Sequence, residues 1–281
     1  MKLEEIRSLF QSFLAEESLE VDGSPSDFAP VSNSEKPLGL AIETYLRENE
    51  YPEPEFYDIA SNFFHSQGEY RRVEEMLVRW KRSKGNPITP IIRHALLYFA
   101  DGYIGYEECL AHIQEGLQQE PGNPFLPSIA YVTAFQEEDT GRRLHYAGQL
   151  AAISAEAGQQ IVYGLECGEN LLVDRAQAAF ARARELDATD VRGLNGMGKC
   201  RLEKLDLDRA EELLHQSLQL KETPFAKKAL ETVARLRNGK AWSDEEKRFQ
   251  KFWTEWTDTQ LKEITAAEQP RLMAECFAPP H

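Results

Sequence analysis

The sequence predicts an all-α chain built as a stack of antiparallel helical hairpins. Three observations carry this. From Pro37 onward one helical apolar pattern follows another, divided by short Gly, Pro, Asn and Asp breaks. No segment alternates apolar and polar residues between turn signals as a half-buried strand would. And the C-terminal half repeats itself: Ala176, Phe180, Ala183 and Leu186 recur 34 residues later as Ala210, Leu214, Ser217 and Leu220, while Tyr163-Gly164 recurs as Met197-Gly198. A fixed period carrying a small, a bulky and again a small residue on one helix face is the pattern of stacked hairpins. Such a stack offers an extended surface for binding and has no built-in active site.

The elements follow in order. Residues 1–16 form an amphipathic helix with Leu3, Ile6, Phe10, Phe13 and Leu14 on one face. Residues 17–37 turn to Ser, Pro, Asp, Gly and Glu and read as a flexible acidic linker. A helical-repeat domain then spans residues 38–237. Its helices run 38–47, 53–66, 69–84, 89–101, 106–119, 123–135 and 140–155, then the two clearest repeats, 157–188 and 191–222, and a helix at 224–237. Breaks fall at Gln67-Gly68, Gly85-Asn86-Pro87, Gly102, Pro121-Gly122, Asp139 and Asn238-Gly239. Residues 238–281 hold a C-terminal capping helix and a tail. Ser243 with Glu246 reads as a capping box, the helix reaches about Glu263, and the tail from Glu268 carries Pro270 and Pro279-Pro280.

Bulk properties bound the partners. The 281 residues are 42% apolar, enough for a sizeable core, and carry a formal charge of -15. An acidic surface repels phosphate backbones and anionic lipids, so neither nucleic acid nor membrane insertion is expected. No apolar run has the length of a membrane span, and the N-terminus lacks the apolar core of a secretory signal. The four cysteines, Cys109, Cys167, Cys200 and Cys276, form no CxxC pair. They read as small buried hydrophobes in a reducing compartment, and the cytoplasm is the expected location.

The residues at 157–222 resemble the tetratricopeptide repeat (TPR) family. Gly164 and Gly198 sit where a second helix approaches closely, Ala176 and Ala210 where two helices cross, and Phe180 and Leu214 where neighbouring hairpins meet. A weaker pair lies upstream at a period of 36, with Tyr70, Val73, Leu77 and Trp80 recurring as Tyr106, Cys109, Ile113 and Gly116. Gly68-Glu69-Tyr70 resembles the family's turn into its second helix, and Pro121 the proline that ends a unit. The family's first-helix tryptophan is absent: Gln160 and Leu194 stand there. Residues 123–155 form a degenerate pair. The resemblance implies a right-handed superhelix whose concave face, lined by the first helix of each unit, binds peptides or helices of partner proteins.

On that phase the partner-binding groove residues are Ile161, Val162, Leu165, Arg192, Asn195, Lys199, Leu202 and Leu230. Arg192, Asn195 and Lys199 lie in one unit, which does not make the carboxylate clamp some family members carry. They can instead hold an acidic segment or form a solvated face. The other positions are apolar, and an open apolar groove needs a cover. Three placements are open: the C-terminal helix, with Phe249, Phe252, Trp253 and Trp256 at helical spacing, caps the last hairpin; the N-terminal helix occupies the groove; or a partner helix does.

Motifs for chemistry are missing. The six histidines form no zinc-ligand spacing, although Cys109 and His112 are one turn apart. There is no GxSxG and no phosphate-binding loop. Pairs such as Glu74-Glu75 and Glu211-Glu212 open second helices, where carboxylates complement the helix dipole. The expected function is therefore a non-catalytic scaffold or adaptor without cofactor or metal, binding a protein or peptide partner. The alternatives are a chaperone-type holder of unassembled or exported proteins and, from another class, an enzyme on a helical scaffold.

Overall fold

The computed structural model describes residues 2–20, 35–50, 52–83 and 88–277. Among them are fourteen α-helices and no strand, so the all-α hairpin stack stands. The chain divides into two compact units, Met1–Pro121 with Leu272–His281, and Gly122–Arg271.

The first unit opens with α1 (Leu3–Glu20) and α2 (Glu35–Glu48), followed by the hairpin of α3 (Pro54–Ser66) and α4 (Tyr70–Arg82). Next come α5 (Ile88–Leu96), a 3-10 turn at Leu97–Phe99, and α6 (Tyr106–Gln119). Ile6, Phe10 and Phe13 of α1 are buried, and the helix packs on α2 and α3. The Phe13 ring meets Phe63 edge-on at 5.5 Å, and Arg7 holds Glu55 through two hydrogen bonds of 2.6 and 2.7 Å. The linker expected at residues 17–37 is shorter at both ends, because α1 runs to Glu20 and α2 begins at Glu35; residues 21–34, like the break at 85–87, lie outside the described residues. Val73, Leu77, Trp80, Cys109 and Ile113 of the weak repeat are all buried. The C-terminal residues reach α3 and α5: Arg93 donates to the Cys276 carbonyl at 2.8 Å, and Phe277 stacks on His65 at 4.1 Å.

The second unit contains three hairpins: α7 (Phe125–Gln136) with α8 (Thr140–Ile153), α9 (Ala157–Glu169) with α10 (Val173–Leu186), and α11 (Val191–Glu203) with α12 (Leu207–Leu220). Then come α13 (Pro224–Arg237) and α14 (Trp242–Cys276). The packing follows the repeat residues. A Cβ on Gly164 would stand 2.7 Å from the Phe180 ring, one on Gly196 would clash with the opposite side of that ring, and one on Gly198 would stand 2.9 Å from Leu214. Glycine is required there because the Phe180 ring or the Leu214 side chain already fills the space. Phe180 thus joins its own hairpin to the next.

The backbone repeats more faithfully than the side chains. The turn inside each hairpin holds a residue at positive φ: Gly68 and Gly102 at 69°, Glu138 at 54°, Leu171 at 58° and Leu205 at 57°. After Gly68, Glu138, Leu171 and Leu205 the next N–H bonds the carbonyl five residues back, at 2.8–2.9 Å, which closes the first helix. The pair at 123–155 is therefore a full hairpin whose turn lacks the glycine signal.

Two expectations about the C-terminal region change. The helix runs to Cys276 instead of ending near Glu263, with Pro270 inside it, and Ser243 lies within its first turn rather than before it. Pro270 loses one N–H bond without ending the helix, since the buried stripe around it is kept by packing. Its position is also more than a cap.

Candidate functional site

The candidate site is the inner face of the second unit, lined by first helices α7, α9, α11 and α13. Residues 242–271 of α14 lie along it. The helix turns one stripe inward, and Phe249, Trp253, Thr257, Leu261 and Thr265, each four residues apart, are buried. That spacing keeps one side of an α-helix on a single seam.

The contacts can be followed along the seam. At α13 the Phe225 ring lies 4.5–6.4 Å from the rings of Phe249, Phe252, Trp253 and Trp256. At α9 and α11, Trp253 sits on Gly168, where a Cβ would stand 2.9 Å from its ring, and the Lys199 ammonium lies 4.4 Å from the ring centroid. The next residue, Thr254, donates to Glu169 at 3.4 Å. Ser128 and Tyr131 of α7 and Val162 of α9 then enclose a void of about 20 Å³ with Ile264, Thr265 and Glu268. Finally Gln136 donates to Gln269 at 2.8 Å.

Under this apolar seam runs a charged one. Glu166 is buried and accepts from Arg143 at 2.8 and 3.0 Å and from the Tyr131 hydroxyl at 2.8 Å, all on one oxygen. Burial pushes its carboxyl up, with Arg143 and Tyr131 pulling the other way, and burial drives the Tyr131 phenol well above its usual range. Glu169 is also raised by burial, against the pull of Lys199. Lys199 is fully buried and pairs with Glu203 at 2.7 Å. Several buried polar atoms of the seam have no hydrogen-bond partner among the described residues: one oxygen each of Glu169 and Glu203, the Trp253 indole nitrogen, and the hydroxyls of Thr257 and Thr265. Thr265 borders the small void, and a buried polar atom that stays without a partner costs about 1–3 kcal/mol.

The eight expected groove residues separate by environment. Val162 and Lys199 meet α14. Ile161, Leu165 and Leu202 are fully buried. Asn195 turns away, accepting from Ser217 at 2.7 Å and donating to Thr223 at 3.4 Å. Arg192 is held by Asp190 at 2.6 Å, and Leu230 is half-buried. Tyr131, Arg143, Glu166, Gly168 and Phe225 belong to the face and were not expected there; a single glutamate or arginine on a helix reads as solvent-facing until its neighbours are known.

Among the described residues no group of His, Cys, Asp and Glu can hold a metal ion, and no helix is long and apolar enough to cross a membrane. Cys109 donates to the Ala95 carbonyl at 3.3 Å, while His112 stacks on His94 at 4.6 Å, so the two residues one turn apart do not converge.

Hairpins with a turn every 33–36 residues, locked by small residues under a bulky one, define a tetratricopeptide-like helical-repeat fold. A solved structure agrees in fold. The chain is similar to YrrB, described as a TPR protein with an unusual peptide-binding site, at 16% identity and a TM-score of 0.52, over 68% of this chain and 98% of that one. It also matches MamA from Desulfovibrio magneticus RS-1 (17% identity, TM-score 0.45, 60% of this chain and 94% of that one) and yeast Tom70 (15% identity, TM-score 0.44, 87% and 50%). No family model matches the chain, and no curated protein does.

Proposed function

We propose that this protein is a non-catalytic interaction scaffold whose second-unit inner face receives an amphipathic helix of a partner protein. The observation that carries the reading is the face's present occupant. Residues 242–271 seat an aromatic and aliphatic stripe on α7, α9, α11 and α13, with Trp253 fitted over Gly168. A face that takes one such helix is shaped for the class, in the helix-in-groove mode of recognition. The unpartnered hydroxyls of Thr257 and Thr265 weaken the seam and favour exchange. In this reading α14 is the resident ligand, and Val162, Glu169, Lys199 and Phe225 contact whichever helix is bound.

Affinity capture from the native cell lysate tests the proposal with three forms of the full chain. Trp253→Ala loosens α14, and Thr257→Val with Thr265→Val tightens it. One specific partner, enriched on the loosened chain and depleted on the tightened one, is expected. Equal capture by all three forms contradicts exchange at this face. Capture of many unrelated, partly unfolded proteins points to the chaperone-type holder instead.

A further inference from the structure

The first unit contains a second candidate site, independent of the helix-binding face. A cleft of about 720 Å³ opens between Glu50, Pro52 and Glu53 on one side and Arg79, Arg82 and Ser83 on the other. Pro52 and the 3%-exposed Tyr57 are buried in its wall, and Pro54 is half-buried beside them. Arg79 and Arg82, one turn apart on α4, stand exposed at its edge.

These arginines differ from their neighbours. On the same helix Arg72 pairs with Glu43 and Lys81 with Glu115. Arg93 pairs with Asp58. Neither Arg79 nor Arg82 has a hydrogen bond or ion pair among the described residues, in a chain of net charge -15. Tyr57 adds a hydroxyl beside them. Its ring is buried, its hydroxyl has no partner, and Arg79 is near enough to act on the phenol. The ring is buried while the hydroxyl stays open to the cleft, where a ligand can reach it. Two free guanidinium groups beside an unpaired hydroxyl over an apolar wall form a receptor for an anion on an apolar body.

The remaining rim residues select the charge. Glu50 and Glu53 also line the cleft, and Glu53 accepts the Tyr45 hydroxyl at 2.6 Å. That bond lowers the Glu53 pKa and keeps it ionised. Two carboxylates beside two guanidiniums leave the rim near neutral, which suits a single negative charge better than the double charge of a phosphate.

We infer that the cleft lined by Pro52, Pro54, Tyr57, Arg79 and Arg82 binds a carboxylate carried on an apolar body, supplied by a small organic acid or by an acidic side chain within a peptide. The carboxylate sits between the guanidinium groups and accepts from Tyr57, while the apolar body lies on the two prolines and the tyrosine ring.

Isothermal titration and proton NMR of the full chain test this with 3-phenylpropionate, its carboxamide, and the capped peptide acetyl-Pro-Phe-Glu-Pro-amide. The acid is expected to bind about tenfold more tightly than the carboxamide. Arg79→Gln with Arg82→Gln, both exposed and harmless to folding, lowers affinity about tenfold, and Tyr57→Phe about threefold. A tighter peptide assigns the carboxylate to a protein segment, and a tighter free acid to a small molecule. Equal binding of acid and carboxamide, unchanged affinity in the double variant, or no binding of acid and peptide overturns the inference.

Discussion

The Lys199 ammonium lies 4.4 Å from the centroid of the Trp253 ring, and both side chains are fully buried. A cation is kept there by the ring face and by Glu203 at 2.7 Å, at the point where α11 meets α14. Glu203→Leu removes the paired carboxylate and is expected to cost about 3 kcal/mol, the low end for such breaks because Glu169 is also near. Adding Lys199→Met in the same chain restores most of the loss. Urea denaturation of the two variants measures both effects.

The grip on Phe180 gives a second prediction. Gly196 is packed against its ring, and a methyl group has nowhere to go. Gly196→Ala should lower stability by about 1–3 kcal/mol despite the higher helix propensity of alanine. Gly158→Ala, with no atom near its Cβ position, should be neutral or stabilising. Thermal unfolding of the pair compares them.

These glycines also mark how far the sequence could be read. Gly164, Gly198, Phe180 and Leu214 gave the two best hairpins because packing there depends on residue size at fixed spacing. The α7–α8 hairpin is faint because Arg143 and Ala147 stand where the next hairpin has Ala176 and Phe180, so the small and bulky positions are not kept. The inner face was the least legible part. The repeat phase named Asn195, yet its amide is drawn into the core by Ser217. Glu166 went unnoticed because its burial depends on Arg143, Tyr131 and α14 converging from three other helices. Pro270 suggested a tail, but packing of the flanking turns outweighs its one lost hydrogen bond.

The hairpin turns supply a third prediction. Leu171 and Leu205 adopt positive φ with side chains mostly exposed. A left-handed residue with a Cβ costs about 1–2 kcal/mol, and part of this returns with glycine after its own entropy is counted. Leu171→Gly and Leu205→Gly should each stabilise the second unit by about 0.5–1 kcal/mol. Chemical denaturation of the single and double variants should show gains that add.

Acid sensitivity of the first unit follows from His94 and His112, stacked at 4.6 Å. Burial, then the neighbouring His112 and Lys81, lower His94 to about 4, and burial followed by Lys81 lowers His112. Because the folded values lie below the unfolded one near 6.5, this stability is complete above about pH 6.5 and is lost as pH falls toward about 4. His94 alone should account for about 2 kcal/mol between about pH 7 and about pH 5. Denaturation of His94→Leu at both pH values should show a correspondingly smaller loss than the parent chain.

The most direct measurement is a fluorescence titration with a labelled peptide of residues 242–271, added to the full chain and to its Trp253→Ala form. If the inner face is a helix-binding site held by its own α14, the peptide binds the Trp253→Ala chain at least about tenfold more tightly than the parent, and a peptide carrying the same substitution binds neither. Equal affinity for the two chains, or no binding to either, would contradict the account.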